Sequence, residues 1–491
     1  FNKSMADEMK DRISKQGIRY LKASTLHSLA FQSQRREIGA QRLGKPLVAR
    51  RIADELKYQG MTIPGLPDRI TPVGAAWVAL RSLTRYCQSG DTVMGKQHLS
   101  SGKYNILTQI RDAVRDALEP HSLALGEAAF DVGRGWPMPH EVYLKRYVEG
   151  VAEDAAMGPW GQYLIGDEFQ DANGVTMKFM RSMRRAGRQI IVAGDPCQQI
   201  YQWRGSVNAM SRLETDVTLE LTQSFRFGQP LADLASKILH LLGREVNMTG
   251  NPAIVTKLHD KAPAPPSQRS AIICRTNRGV VEAAMHHALR GGCHIAKAGP
   301  MLDVILDLDD LQHGKLGSRS ELRIFRSVDA FREYMENGGD VYLPYLKLIR
   351  DYGVTHLVEV LEAARRNRRA ATEIMTAHSS KGRQFPHVVL WSDFPDEEYI
   401  VKRGSLMEEL RLLYVAATRA QHTLDFHRVP ILRCIQEQRL PQGLRFSISA
   451  ALRESSDAMF TVAKPKVETP VVISALRPCR VRECADCRAL V

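Results

Sequence analysis

The chain has 491 residues, enough for several buried cores and roughly three or four domains of ordinary size. Its 44% apolar and 25% charged residues are those of a globular protein; no apolar run nears the roughly 20 residues that cross a bilayer, and the first residues, FNKSMADEMKDRI, lack the apolar core of a secretory signal. Lys and Arg total 68 against 54 Asp and Glu, a net charge of +14 that favours a polyanionic partner, and eight scattered cysteines do not form the spacing of a disulfide framework.

In chain order, the N-terminal stretch leads into a basic region with Arg35, Arg36, Arg42, Lys45, Arg50 and Arg51 near its start, and 32–155 reads as mainly helical. Apolar, β-rich runs follow: QYLIGDE (162–168), RQIIVAGD (188–195), VTLELTQ (217–223), SAIICRTN (270–277), TEIMTAH (372–378) and HVVLWSD (387–393). Helical patterns lie between them: PLADLASKILHLLG (230–243), GVVEAAMHHALRGG (279–292) and SLMEELRLLYVAATRAQ (405–421). Strands alternating with helices predict parallel α/β sheets with ligands at strand ends. A second charged, helical stretch, 301–368, ends in AARRNRRAAT and reads as a further insertion.

Chemistry concentrates after the first strand. An apolar run that ends in Asp167-Glu168 has the form of a Walker B pair: Asp167 can hold Mg²⁺, directly or through water, and Glu168 can polarise an attacking water. A lone Asp-Glu pair is usually a solvated turn. Here it is followed by a second strand and GDPCQQIYQWRGSVNAM (194–210), which offers Gln198 as a neutral phosphate sensor, aromatic faces at Tyr201 and Trp203, and a charged fork at Arg204. Such aromatics beside an Arg suit stacking of unpaired bases.

DEFQD followed by GDPCQQIYQWRG resembles motifs II and III of the UvrD-like superfamily 1 DNA helicases. TLHSLA (25–30), LTQSFRF (221–227), MTAHSSKGRQF (375–385) and EELRLLYVAATRA (408–420) resemble the remaining motifs, in the family's order. GDPCQQIYQWRGSVNAM, LTQSFRFG and MPHEVYLK (138–145) look most like the F-box DNA helicase branch, although only the motor, and no F-box, is visible. The resemblance implies two RecA-like parallel-sheet motor domains, the P-loop NTPase fold, with helical insertions. The first motor domain would comprise 1–31 and 156–225, the second 226–300 and 369–450, with insertions at 32–155 and 301–368 and a tail at 451–491. It implies ATP and Mg²⁺ as cofactors, single-stranded and duplex DNA as partners, 3′-to-5′ translocation, and work in repair or recombination with partner proteins. The setting would be the bacterial nucleoid or the eukaryotic nucleus, away from membranes.

Residue roles implied by the resemblance are these. Asp167 would bind Mg²⁺, Glu168 would be the general base and Gln198 would contact the γ-phosphate. Arg226 and Arg419 would be arginine fingers, Phe225 would pack on the adenine, and Gly382 and Gln384 would belong to the nucleotide-binding part of motif V. Thr25, His27, Tyr201, Trp203, Arg204 and His378 would line the single-strand track. A degenerate module that grips single strands without hydrolysis is the alternative.

The sequence departs from the family in three places. FNKSMADEMKDRI resembles the end of motif Ia, so the Gly-rich phosphate loop is expected upstream of Phe1, and residues 1–491 alone are expected to be inactive as an ATPase. A G-x₄-G-K string at Gly90–Lys96 has Gln97 where Ser or Thr should hold the metal, no strand leading into it and the wrong place in the motif order. Motif V carries Arg383-Gln384 where the family has Leu-Glu. In the tail, Cys479, Cys484 and Cys487 offer three thiols where structural zinc needs four ligands.

Overall fold

The computed structural model describes residues 3–64, 69–100, 108–154, 161–200, 209–264, 269–288, 292–320, 322, 327–336, 342–396, 406–440 and 448. These form two compact units. One holds the described residues up to Pro196 together with 209–217; the other holds Cys197–Ile200 and those from Thr218 onward. Both contain parallel sheet flanked by helices, the mixed α/β architecture that the alternating pattern predicts.

The first unit is mostly helical: α1 (Lys3–Lys15), α2 (Leu26–Gln34), α3 (Ala49–Glu55), α4 (Pro72–Gln88), α5 (Thr108–Phe130), α6 (His140–Glu153), α7 (Gly174–Arg185) and the single turn α8 (Ala209–Arg212). Local chemistry sets the helix starts. Thr71 accepts from the Gly74 amide ahead of Pro72 at α4, and Asn173 accepts from the Thr176 amide at α7. On α4, Ala76, Ala79, Leu83 and Cys87 recur three or four residues apart, and all are buried in one core with apolar faces of α5, α6 and α7. Two short parallel strands, β1 (Tyr163–Gly166) and β2 (Gln189–Val192), pair from Tyr163↔Gln189 to Gly166↔Val192. Leu164 and Ile190 pack against the core, whereas Ile165 and Ile191 face outward and are exposed.

The second unit is built on five parallel strands in the order β3-β7-β6-β4-β5: β3 (Lys257–His259), β4 (Ser270–Cys274), β5 (Thr372–Thr376), β6 (Phe385–Leu390) and β7 (Ala420–Asp425). Between and around them run α9 (Gln229–Leu241), α10 (Asn277–Ala288), α11 (Ala298–Gln312), α12 (Val328–Glu336), α13 (Leu343–Tyr352), α14 (Val354–Arg366), the single turn α15 (Ala377–Ser380), α16 (Leu406–Ala417) and α17 (Pro430–Gln436). Interior β4, between β6 and β5, is an unbroken apolar run, Ala271–Cys274, covered on both faces, as a parallel strand flanked by helices must be.

Two expectations need correction. VTLELTQ is not a strand: apart from one bridge, Gln223↔Thr249, it has no ladder among the described residues, and its alternating Val217, Leu219 and Leu221 are all exposed. Alternation specifies a strand only where a neighbour supplies the backbone partners. The helix expected over 405–421 stops at Ala417, and Ala420 opens β7. The Arg419 side chain closes the helix by donating to the Val415 carbonyl (2.8 Å), and the Phe385 amide takes the Arg419 carbonyl into the sheet (2.9 Å). Strands β3 and β7 were not anticipated.

Candidate nucleotide and nucleic-acid sites

In the first unit, β1 delivers Asp167 and Glu168 to its carboxyl end. Asp167 is exposed, and its carboxylate accepts from the Glu168 amide at 2.9 Å. Glu168 adopts φ +51°, a left-handed backbone that a non-glycine residue enters at a cost and that concentrates at functional sites. The turn is held by Phe169 N–H to the Ala193 carbonyl (2.9 Å). Gln170, which the sequence reading passed over, is only 1% exposed and ties two motifs together. Its amide donates to Glu168 Oε2 (2.5 Å), and its carbonyl accepts from the Asp195 amide (3.1 Å). A Cβ at Gly194 would sit 2.3 Å from the Gln170 oxygen, which is why a glycine precedes Asp195. The signal for Gln170 was present in DEFQD: a neutral polar residue two positions beyond a carboxylate that must be aimed.

In the second unit, four of the expected nucleotide-site residues meet. The Arg226 Nε donates to Gln384 Oε1 (3.1 Å), and its Nη1 donates to the Thr418 carbonyl (3.0 Å). The next residue, Arg419, is 1% exposed; its guanidinium donates to the Val415 carbonyl, to Thr418 Oγ1 (3.0 Å), to the Arg383 carbonyl (3.4 Å) and to Gln198 Oε1 (3.3 Å). Lys381, also buried, donates to the Gln198 carbonyl at 2.8 Å. Gly382 follows at φ +79°, a conformation that favours glycine and lets the chain turn from Lys381 toward Gln384. Phe225 is 77% exposed, an aromatic face with nothing packed on most of it. Motif V therefore does more than the sequence suggested: Gln384 orients Arg226. Lys381 and Thr418 are site residues that sequence reasoning did not single out.

The expected single-strand contacts are differently placed. Thr25 caps α2 by accepting from the Ser28 amide (3.1 Å). The His27 ring lies edge-on to His140 (6.1 Å) and Tyr143 (6.3 Å), and His140 Nδ1 meets the Tyr143 hydroxyl at 2.8 Å. Loss of water around His27 lowers its pKa, partly opposed by Glu141, so it is neutral at physiological pH. TLHSLA thus packs on the MPHEVYLK helix. His378, just past β5 in the second unit, bonds through Nε2 to the Ile200 carbonyl (3.1 Å). Tyr201, Trp203, Arg204 and the three tail cysteines lie outside the described residues, and among the described residues no group of three or more His, Cys, Asp or Glu side chains is gathered as for a metal.

Neither internal G-x₄-G-K string forms a phosphate cradle. Gly90–Lys96 follows helix α4, not a strand; Lys96 pairs with Glu119 and Asp116, and buried Lys145 of MPHEVYLK fixes the loop by donating to the Ser89 (2.9 Å) and Asp91 (2.5 Å) carbonyls. A second match that the sequence reading missed, Gly39–Lys45, lies in the turn after α2, where Gly44 N–H bonds to the Met138 carbonyl (2.8 Å).

Comparison with known proteins finds a helicase domain over each of these groups of residues. Residues 156–217, which hold Asp167, Glu168, Gln170 and Gln198, match the UvrD/REP helicase N-terminal domain. Residues 347–427, which hold His378, Lys381, Gln384 and Arg419, match the UvrD-like helicase C-terminal domain. Two separate segments of the chain thus match the two domains of UvrD-like helicases. The chain is 26% identical to F-box DNA helicase protein 1 of Schizosaccharomyces pombe over 451 residues, which covers 82% of the chain and 49% of that protein. It is 25% identical to F-box DNA helicase 1 of Gallus gallus over 296 residues (52% and 28%), and 31% identical to ATP-dependent DNA helicase PcrA of Leuconostoc citreum over 84 residues (16% and 11%). The chain spans about half, or less, of the length of these curated relatives.

Proposed function

We propose that these residues form the motor of an ATP-dependent DNA helicase that steps 3′ to 5′ along single-stranded DNA and opens duplex in repair or recombination, in a nucleoid or a nucleus. The observation that carries this reading is the junction of four separate sequence motifs in the second unit, where Gln198, Arg226, Gln384 and Arg419 are hydrogen-bonded into one cluster. The donor set fits a polyphosphate: two guanidinium groups and two side-chain amides, with exposed Phe225 beside Arg226 for a purine face. The exposed Asp167 carboxylate suits a hard cation such as Mg²⁺.

In this reading Glu168, held by Gln170, takes the proton of the attacking water, and Gln198 orients that water. Arg226 and Arg419 offset the charge that develops on the phosphoryl oxygens. The bound nucleotide supplies the phosphoryl group and the free energy of each step. Thr25, His27, Tyr201, Trp203, Arg204 and His378 hold the single strand. In this reading neither G-x₄-G-K string cradles phosphate, and the chain binds single strands. In any form of the protein joined to a phosphate-binding loop, Glu168→Gln abolishes DNA-stimulated phosphate release and leaves single-strand binding within a few-fold. Undiminished turnover in that variant would remove Glu168 from the chemistry.

A further inference from the structure

The second unit carries a basic surface that the nucleotide cluster does not use. Helix α14 ends in Arg365-Arg366, and Arg368 and Arg369 follow in the turn that enters β5. All four are exposed. The turn is rigidly built: the Asn367 amide bonds to the Ala363 carbonyl (3.1 Å), Arg368 N–H to Arg366 (2.8 Å) and Ala370 N–H to Asn367 (3.1 Å). Arg269 immediately precedes β4, the strand hydrogen-bonded to β5, and the Ser270 amide bonds to the Ala371 carbonyl at 2.9 Å. Arg269, Arg368 and Arg369 therefore lie by the amino-terminal ends of two adjacent strands, with Arg365 and Arg366 in the helix turn that leads there.

Among the described residues, the countercharges of Arg365, Arg366, Arg368 and Arg369 are few. Glu362 serves both Arg365 (3.0 Å) and Arg366 (3.2 Å), and Glu373 is occupied by a paired contact from Arg383 (2.8 and 2.6 Å). Those in the last turn of α14 also offset the negative end of its dipole, which gives Arg365 and Arg366 a structural reason to be basic. Arg368 and Arg369 lie beyond the helix and have no ion pair among the described residues, so the fold gives no such reason for them.

We infer that this surface, through Arg368 and Arg369 above all, is a contact for the phosphate backbone of double-stranded DNA, separate from the single-strand track. The inference rests on the DNA-motor reading and extends it to a second nucleic-acid surface. Three features select the ligand. The side chains are arginines, whose planar forks match phosphate oxygens. Residues 365–370 and Arg269 include no aromatic side chain on which an unpaired base could stack, so the surface reads charge and not bases. It also lies at the opposite end of β5 from His378, the track residue of this unit, a strand length away. Duplex DNA, with its bases hidden and one charge per roughly 1.7 Å of axis, is the polyanion that such a surface fits.

The test is binding of residues 1–491 to a blunt DNA duplex and, separately, to a single-stranded oligonucleotide, each titrated at several salt concentrations by fluorescence anisotropy. For Arg368→Ala/Arg369→Ala, duplex binding weakens on the order of ten- to a hundredfold near 0.1 M salt, and the slope of log K against log salt falls by about 1.8, the loss of two phosphate contacts. Single-strand binding stays within about twofold, and the melting temperature is unchanged because both side chains are exposed. Arg368→Lys/Arg369→Lys retains the slope. An unchanged duplex slope in the Ala variant overturns the inference, as does loss of the slope in the Lys variant. Loss of binding to poly-glutamate alone would overturn it in favour of an acidic polypeptide. Failure of the unaltered chain to bind any DNA would instead overturn the motor reading on which the inference stands.

Discussion

The two units hold their functional groups in opposite ways. In the first, Asp167 and Glu168 sit at the end of a two-stranded sheet whose outward side chains, Ile165 and Ile191, are exposed, and Glu168 is aimed by one hydrogen bond from Gln170. In the second, Arg419 is buried between a helix end and the rim of a five-stranded sheet, and its guanidinium completes the backbone bonding of α16 as well as touching Gln198. In the proposed motor, a carboxylate that meets a metal and water has to remain accessible. A guanidinium that must keep one orientation is best fixed by carbonyls that cannot move. The lesson is that the proposed carboxylates of the first unit stand clear of its core, whereas Arg419 of the second is at once a proposed site residue and part of the packing.

Substitutions can break or sharpen that contrast. Arg419→Ala has the largest expected effect: the Val415 carbonyl and Gln198 lose a buried donor and the site its side chain, so the second unit loses about 2–3 kcal/mol in urea denaturation. A loss below about 1 kcal/mol would separate function from stability there too, and the contrast would collapse. Gln170→Ala costs less, about 1–2 kcal/mol. Its sharper signature is faster hydrogen exchange at the Asp195 amide, which loses its acceptor; unaltered exchange would show that the link between the two motifs carries no strain. Phe225→Ala has the smallest effect on stability, within about 0.5 kcal/mol for so exposed a side chain, while binding of a fluorescent ATP analogue weakens. A large loss of stability would place Phe225 among the structural residues and remove the purine face.

Much of the fold was legible because parallel strands buried on both faces are written as continuous apolar runs. SAIIC became β4, and TEIMT and the apolar core of HVVL became parts of β5 and β6. VTLELTQ shows where such reading fails: its pattern is as regular, but a strand exists only through its neighbour's backbone. The 405–421 segment fails for a related reason. ATRAQ continues the helical pattern, and only the sheet's need for another parallel strand, with Arg419 closing the helix, stops it at Ala417. Residue types in the candidate site were legible in the same uneven way. Asp167, Gln198, Arg226 and Arg419 announce their chemistry by type and order, whereas Gln170, Thr418 and Lys381 matter through bonds to groups far away in sequence or to backbone atoms.

By itself the sequence determined the alternation of strands and helices, the order of the motifs and the kind of chemistry each can perform, because these depend on residue type and local spacing. Tertiary structure alone decided that Gln384 accepts from Arg226, that Arg419 is buried, that two G-x₄-G-K strings follow helices, and that Arg269 comes to the same end of the sheet as Arg368 and Arg369. Those facts depend on which distant segments the sheets bring together, and hydrogen bonds and charge clusters act between neighbours in space, whatever their separation along the chain.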